Sequence, residues 1–112
     1  MTVTIHGEQV NGVDIDPWTR CGHYHTDLDI IAIRFKCCGE WYPCIECHRA
    51  VAGHESVTWK VSERDVATVL CGQCGRHLTT DEYANCDSTC PKCGANFNPG
   101  CAKHFHLYFD AN

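Results

Sequence analysis

Apolar residues along this chain fall in short runs that end at cysteines. Ile30 to Phe35 is β-branched and aromatic, which predicts a strand delivering the chain to Cys37 and Cys38. Val66 to Leu70 predicts a second strand, ending at Cys71. Between them Val57, Trp59 and Val61 alternate with polar residues, the period of a half-buried strand, and Ser62 to Asp65 predicts a turn or a single helical turn. Near the N-terminus, Val10-Asn11-Gly12-Val13 sets an Asn-Gly pair between apolar residues, a hairpin signal. Thr79 and Glu82 have capping-box spacing, so a short helix is predicted near Tyr83. Asn98-Pro99 predicts the start of a last helix through Cys101 and His104. No apolar run approaches the length of a membrane-spanning helix.

These elements need something besides apolar packing to hold them. The chain has 112 residues, enough for one domain, but only four leucines, at positions 28, 70, 78 and 107. Domains of this size with so few long aliphatic side chains are marginal, and small scaffolds compensate with disulfides or metals. Eleven cysteines are present, an odd number, so complete internal disulfide pairing is impossible. Eight histidines accompany them at short spacings, and zinc sites use histidine where disulfides do not. Residues Met1 to Arg20 carry no apolar stretch of the secretory type, which removes the expectation of an oxidising extracellular setting. Metal is therefore expected rather than a disulfide framework.

The clearest ligand pattern is Cys71-Gly-Gln-Cys74 followed by Cys90-Pro-Lys-Cys93, with fifteen residues between the pairs. Two C-x-x-C pairs supply four thiolates and close one tetrahedron. Gly75 and Gly94 follow the pairs and permit the tight turn that aims backbone N–H groups at sulfur. A redox role would need one pair at a helix N-terminus rather than two matched knuckles.

The stretch from Cys21 to His54 is denser. It holds Cys21, His23, Cys37, Cys38, Cys44, Cys47, His48 and His54, eight donors, enough for two more closed sites. Adjacent residues on an extended segment point to opposite faces, so Cys37 and Cys38 are expected to serve different metals, and Cys47 and His48 likewise. Cys44 and Cys47 are expected to share one metal, and Cys21 and His23 the other. The assignment of Cys37, Cys38, His48 and His54 stays open, with the two sites interleaved along the sequence. Twelve donors for three ions leave Cys86, Cys101 and His104 as spare thiols and a buried histidine, or as additions to a site. His6, His25, His77 and His106 are expected not to be ligands, and Trp41 and Tyr42 to pack around the Cys44 knuckle.

The set Cys21-Gly-His23-Tyr24, Cys37-Cys38, Cys44-x-x-Cys47-His48, His54, Cys71-x-x-Cys74 and Cys90-x-x-Cys93 resembles the CHY-type zinc finger, over about residues 20 to 109. The resemblance implies three zinc ions per domain. The tail from Phe97 to Phe109 is similar to the small stand-alone members, one of them a fungal mitochondrial intermembrane-space helper of small-translocase assembly. Larger members are ubiquitin ligases with an appended RING domain, for which no room follows residue 109.

The fold expected is a small metal-stabilised domain: short β-strands and hairpins with zinc knuckles, one or two short helices and little regular secondary structure. Residues 1–20 are expected to form an N-terminal arm or hairpin, and residues 21–109 the zinc-binding domain. A structural zinc site contributes about 10–16 kcal/mol of apparent binding free energy at neutral pH. Net domain stabilities are about 5–15 kcal/mol, so the metals dominate. Nine thiolates and three divalent ions add three negative charges to the formal −5, giving −8, and no basic run appears. That argues against nucleic acid as a partner. The function expected is a structural zinc module for interaction with, or assembly of, thiol-rich or zinc-carrying proteins, in the cytoplasm or the mitochondrial intermembrane space. A zinc-dependent or thiol-redox enzyme is the alternative. It is disfavoured because the donors divide into closed tetrahedra and no H-E-x-x-H or phosphate loop is present.

Overall fold

Strand β3 (Ile31–Arg34) is buried on both faces, because its three apolar residues have cores on either side to fill. It was obtained in a computed structural model that describes residues 2–98 together with Tyr108 and Phe109. The predicted last helix lies, beyond Asn98, outside the described residues with its Cys101 and His104, as does His106.

Six strands form one sheet. In chain order they are β1 (Thr2–Ile5), β2 (Glu8–Asn11), β3, β4 (Trp41–Tyr42), β5 (Ala67–Cys71) and β6 (His77–Thr79). In space the order is β1-β2-β4-β3-β5-β6. β3 runs antiparallel to β5, with Ile31 opposite Cys71, and antiparallel to β4, with Ile33 opposite Tyr42. β2 joins β4 in parallel through Val10 and Trp41. The alternation of side chains along a strand sorts them between two cores. Ile31, Ile33, Tyr42, Val69 and Cys71 face one core, which also holds Cys21, Cys44, Cys47 and Cys90. Ala32, Trp41 and Leu70 face the other, where they meet Ile5, Val10 and Ile15 of the first twenty residues.

Three details differ from the sequence reading. The hairpin turn falls on His6-Gly7, both at positive φ (49° and 85°), the requirement of a type I′ turn. Asn11 ends β2 instead. Gly12 is needed for proximity, since a Cβ there would lie 2.8 Å from the Cys47 sulfur. Val57, Trp59 and Val61 do not form a strand. Trp59 makes one isolated bridge to Phe109, Val57 is exposed, and Val61 begins a 3-10 turn, Val61–Glu63. The Trp59 indole N–H donates to the Arg34 carbonyl at 2.7 Å, so this residue is fixed by its ring rather than by a ladder. Lastly, helix α1 (Ile45–Val51) follows Cys44 directly, a helix the sequence pattern did not announce.

Helix α2 (Thr80–Ala84) starts where the capping box placed it. The Glu82 N–H donates to the Thr79 hydroxyl at 3.1 Å, and the Thr79 N–H donates back to the Glu82 carboxylate at 3.0 Å. That N–H and the Arg76 guanidinium, 2.7 Å away, hold the Glu82 carboxyl below its ordinary value of 4.5. A carboxyl lowered on folding lends stability above pH 4.5 that is lost as pH falls through its folded value. Thr79→Ala is expected to lower stability by about 1 kcal/mol, read from urea midpoints at saturating zinc. Glu82→Gln is expected to flatten the acid limb relative to the parent protein.

Candidate metal centres

Three turns in this chain share one hydrogen-bond frame. In the turn from Cys71, the Gly75 N–H donates to the Cys71 carbonyl at 2.9 Å and the Cys71 N–H donates to the Arg76 carbonyl at 2.9 Å. In the turn from Cys90, Gly94 donates to Cys90 at 3.0 Å and Cys90 to Ala95 at 2.8 Å. The turn from Phe35 repeats it: Gly39 donates to Phe35 at 2.7 Å and Phe35 to Glu40 at 2.9 Å. Gly39, Gly75 and Gly94 all have positive φ, between 69° and 81°. The turn at Phe35 is thus a third knuckle in which phenylalanine replaces the leading cysteine. The shared signal, cysteine followed by glycine at Cys38-Gly39, Cys74-Gly75 and Cys93-Gly94, was present in the sequence but was not read as a repeat.

These turns and helix α1, with the loop at Cys21 and His23 and the segment after α1 that carries His54, bring the twelve predicted donors into three groups of four: Cys21, His23, Cys44 and Cys47; Cys37, Cys38, His48 and His54; and Cys71, Cys74, Cys90 and Cys93. Within each group the donor atoms lie within 4.8 Å of one another. Two of the expected pairings are corrected. Cys37 and Cys38 fall in the same group, because they occupy a turn rather than an extended segment and their sulfurs stand 3.9 Å apart. Cys21 and His23 join Cys44 and Cys47 rather than a separate group. Cys47 and His48 do separate, and the first two groups interleave along the chain as expected.

The spacing fits tetrahedral zinc. Sulfurs bound at about 2.3 Å to one tetrahedral ion lie about 3.8 Å apart, and a sulfur and an imidazole nitrogen about 3.5 Å. In the third group Cys71 and Cys93 are 3.8 Å apart and Cys74 and Cys90 3.7 Å. In the first, Cys21 and Cys44 are 3.6 Å apart, and His23 Nδ1 stands 3.8, 3.6 and 3.4 Å from Cys21, Cys44 and Cys47. In the second, Cys37 Sγ is 3.2 Å from His48 Nε2 and 3.3 Å from His54 Nε2. Disulfide sulfurs would stand about 2.05 Å apart, and the ten described cysteines are all free. The groups differ in donors: three sulfurs and one nitrogen, two and two, and four sulfurs.

Electrostatics give the same answer. In the first group the Cys44 and Cys47 thiols hydrogen-bond to Cys21 and hold it far below its ordinary value. The same sharing with Cys21 raises Cys44 and, joined by burial, pushes Cys47 up to about 11. Three clustered sulfurs cannot all ionise without a cation, and a divalent ion replaces the shared protons. In the third group burial raises Cys90, but the N–H groups of Cys93 and Lys92 outweigh it, and the thiol settles at about 7.

Helix α1 divides its side chains between two groups. Cys44 is its N-cap, its sulfur accepting from the Cys47 N–H at 3.3 Å, and both sulfurs face the first group. His48, one position on, turns to the second. Its ring is fully buried and stacks on Phe35, with centroids 4.3 Å apart, and meets Tyr42 edge-on. Tyr42 is buried in the core that holds Cys44 and Cys47, so it packs around the site as expected, whereas Trp41 faces the second core on the other side of the sheet. Cys86 donates to the Tyr83 carbonyl at 3.1 Å and belongs to none of the groups. Among the other histidines, His25 faces the Cys21 carbonyl, His6 Nε2 faces the Gly72 carbonyl at 3.0 Å, and His77 stacks on Trp41.

A small sheet carrying three closed Cys/His groups defines a structural zinc-binding module. Residues 21–104 match the family model of the CHY zinc finger, and the chain belongs to that family. It is 39% identical over 101 residues to Helper of Tim protein 13 of Kluyveromyces lactis, covering 90% of this chain and 88% of that protein. It is 40% identical over 103 residues to Helper of Tim protein 13 of Saccharomyces cerevisiae, covering 89% of each. No solved structure matches the chain.

Two outcomes are expected. A strong chelator abolishes both the sheet signal in circular dichroism and the fixed environment of Trp41 and Tyr42. Gly12→Ala, whose methyl group meets the Cys47 sulfur, costs about 1–3 kcal/mol. Native mass spectrometry then shows its first metal leaving at a lower chelator concentration than in the parent.

Proposed function

We propose that this chain is a non-catalytic zinc module that docks with thiol-rich or zinc-carrying proteins and assists their assembly. The observation that carries the reading is closure: each donor group supplies four ligands, and a tetrahedral ion held by all four has no position left for water or substrate. In this reading Cys21, His23, Cys44 and Cys47 hold one zinc, Cys37, Cys38, His48 and His54 a second, and Cys71, Cys74, Cys90 and Cys93 a third. Residues 21–109 carry the metals, and residues 1–20 brace them through the second core.

The choice of partner is supported by the relatives, which are named as helpers of Tim. By that likeness the partners are the small cysteine-rich translocase proteins of the mitochondrial intermembrane space. Chemistry supports the match, since thiolate-bound zinc passes readily to other thiolates and an acidic surface disfavours nucleic acid. No helix among the described residues is long and apolar enough to cross a membrane, and the reading requires none.

The test mixes the zinc-loaded chain with a reduced, metal-free cysteine-rich translocase protein. A stable complex or a gain of zinc by the acceptor is expected in native mass spectrometry. Neither appearing while both proteins stay intact refutes the docking role.

A further inference from the structure

Of the three donor groups, the second is held together least well, and by two independent features. One concerns His48. Its Nε2 faces the Cys37 sulfur, so a metal bound there leaves the proton on Nδ1. That Nδ1 is buried and, among the described residues, has no hydrogen-bond partner. Metal-bound histidines ordinarily donate the second ring N–H to a carboxylate, a carbonyl or water, which fixes the ring and strengthens the donor. His48 is oriented by ring contacts with Phe35 and Tyr42 rather than by a hydrogen bond, and its buried orphan N–H penalises the bound state.

The other feature concerns His54. The ring is exposed, and its Nδ1 reaches only as far as the Ala52 carbonyl two residues back, at 3.1 Å. Helix α1 has ended at this point, and Gly53 takes a positive φ of 72° with open space around it. Among the described residues, no backbone–backbone hydrogen bond ties residues 53–57 to the rest of the fold. Further along, the Trp59 N–H donates to the Tyr108 carbonyl at 2.9 Å.

The other groups lack this combination. His23 is exposed too, but its turn is pinned on both sides: the Cys21 N–H donates to Tyr24 and the Gly22 N–H to Val13. Its three companion sulfurs are all buried. The third group has an exposed Cys93, but both its C-x-x-C pairs sit in knuckles closed by two backbone hydrogen bonds each. Cys37 and Cys38 share that knuckle frame, but neither is buried: Cys37 is partly accessible and Cys38 exposed.

The geometry points to the second group as the exchangeable centre, with His54 as the ligand that yields its place to an incoming thiolate. The exchange is a ligand substitution. The bond between His54 Nε2 and the metal breaks, and one from a partner sulfur forms. The incoming thiol gives its proton to solvent, the imidazole leaves neutral, and no electrons change hands. Cys37, Cys38 and buried His48 stay in position, so the fold need not open. The second centre would be the point of exchange in the docking role, and its use rests on that reading.

The three donor sets allow a direct test, because cadmium-113 loaded into the full chain gives a separate resonance for each count of sulfur ligands. Reduced glutathione is the probe. The resonance of the two-sulfur, two-nitrogen centre is expected to respond first, moving toward the three-sulfur position while the other two hold. A four-sulfur or one-nitrogen resonance responding first, or all three decaying together, overturns the inference. His54→Cys converts the centre to three sulfurs, and its metal release to glutathione is expected to slow tenfold or more. Release as fast as in the parent removes His54 as the leaving ligand. The two readings fail differently. Zinc reaching the acceptor from another centre sinks this one alone, whereas an acceptor that neither binds nor gains zinc sinks the docking role.

Discussion

A tetrahedral ion requires four donors at mutual separations of about 3.5–3.8 Å, and this chain is shaped around meeting that requirement three times. The sheet has its own apolar contacts, but its strands are two to five residues long. Strands that short give little independent stability. What fixes them is where they end. β3 runs into the knuckle of Cys37 and Cys38, and β5 ends on Cys71, itself a donor. The backbone ladder and the coordination shell therefore share residues, and the loss of one loosens the other.

Helix α1 is the clearest case of one short element serving two centres. Consecutive residues on a helix are about 100° apart, so Cys47 and His48 look in different directions without any bend in the chain. Cys44 caps the helix with its sulfur while facing the same group as Cys47. The aromatic pair Phe35 and Tyr42 then encloses His48. Phe35 occupies the place a cysteine holds in the other two knuckles, and its ring does by stacking part of what a second hydrogen-bond partner would do for a metal-facing histidine.

The sequence indicated which residues come together better than how they divide among groups. All twelve come together in threefold order, because C-x-x-C and C-G spacings carry their own geometry. The grouping of Cys37 with Cys38 was not legible, since alternation applies only to extended chain and these residues lie in a turn set by Gly39. α1 was hidden because its apolar face is short and its cap is a cysteine, outside the usual capping residues. The capping box at Thr79 and Glu82 is purely local and was therefore readable. Gly12 was misread as a turn residue, because its true constraint is a sulfur thirty-five positions away in the chain.

One contact has a consequence for how the chain is made. His6 lies at the tip of the first hairpin, and its ring meets the Gly72 carbonyl across 66 positions of sequence. Gly75 has no room for a side chain because His6 lies against it. During synthesis β2 can pair with β4 earlier, but the tip of the first hairpin has no seat until that knuckle has emerged. The hairpin tip, made well before Gly72, is thus locked in place only once that later segment has emerged, and the nascent chain must remain reduced and unaggregated over that interval.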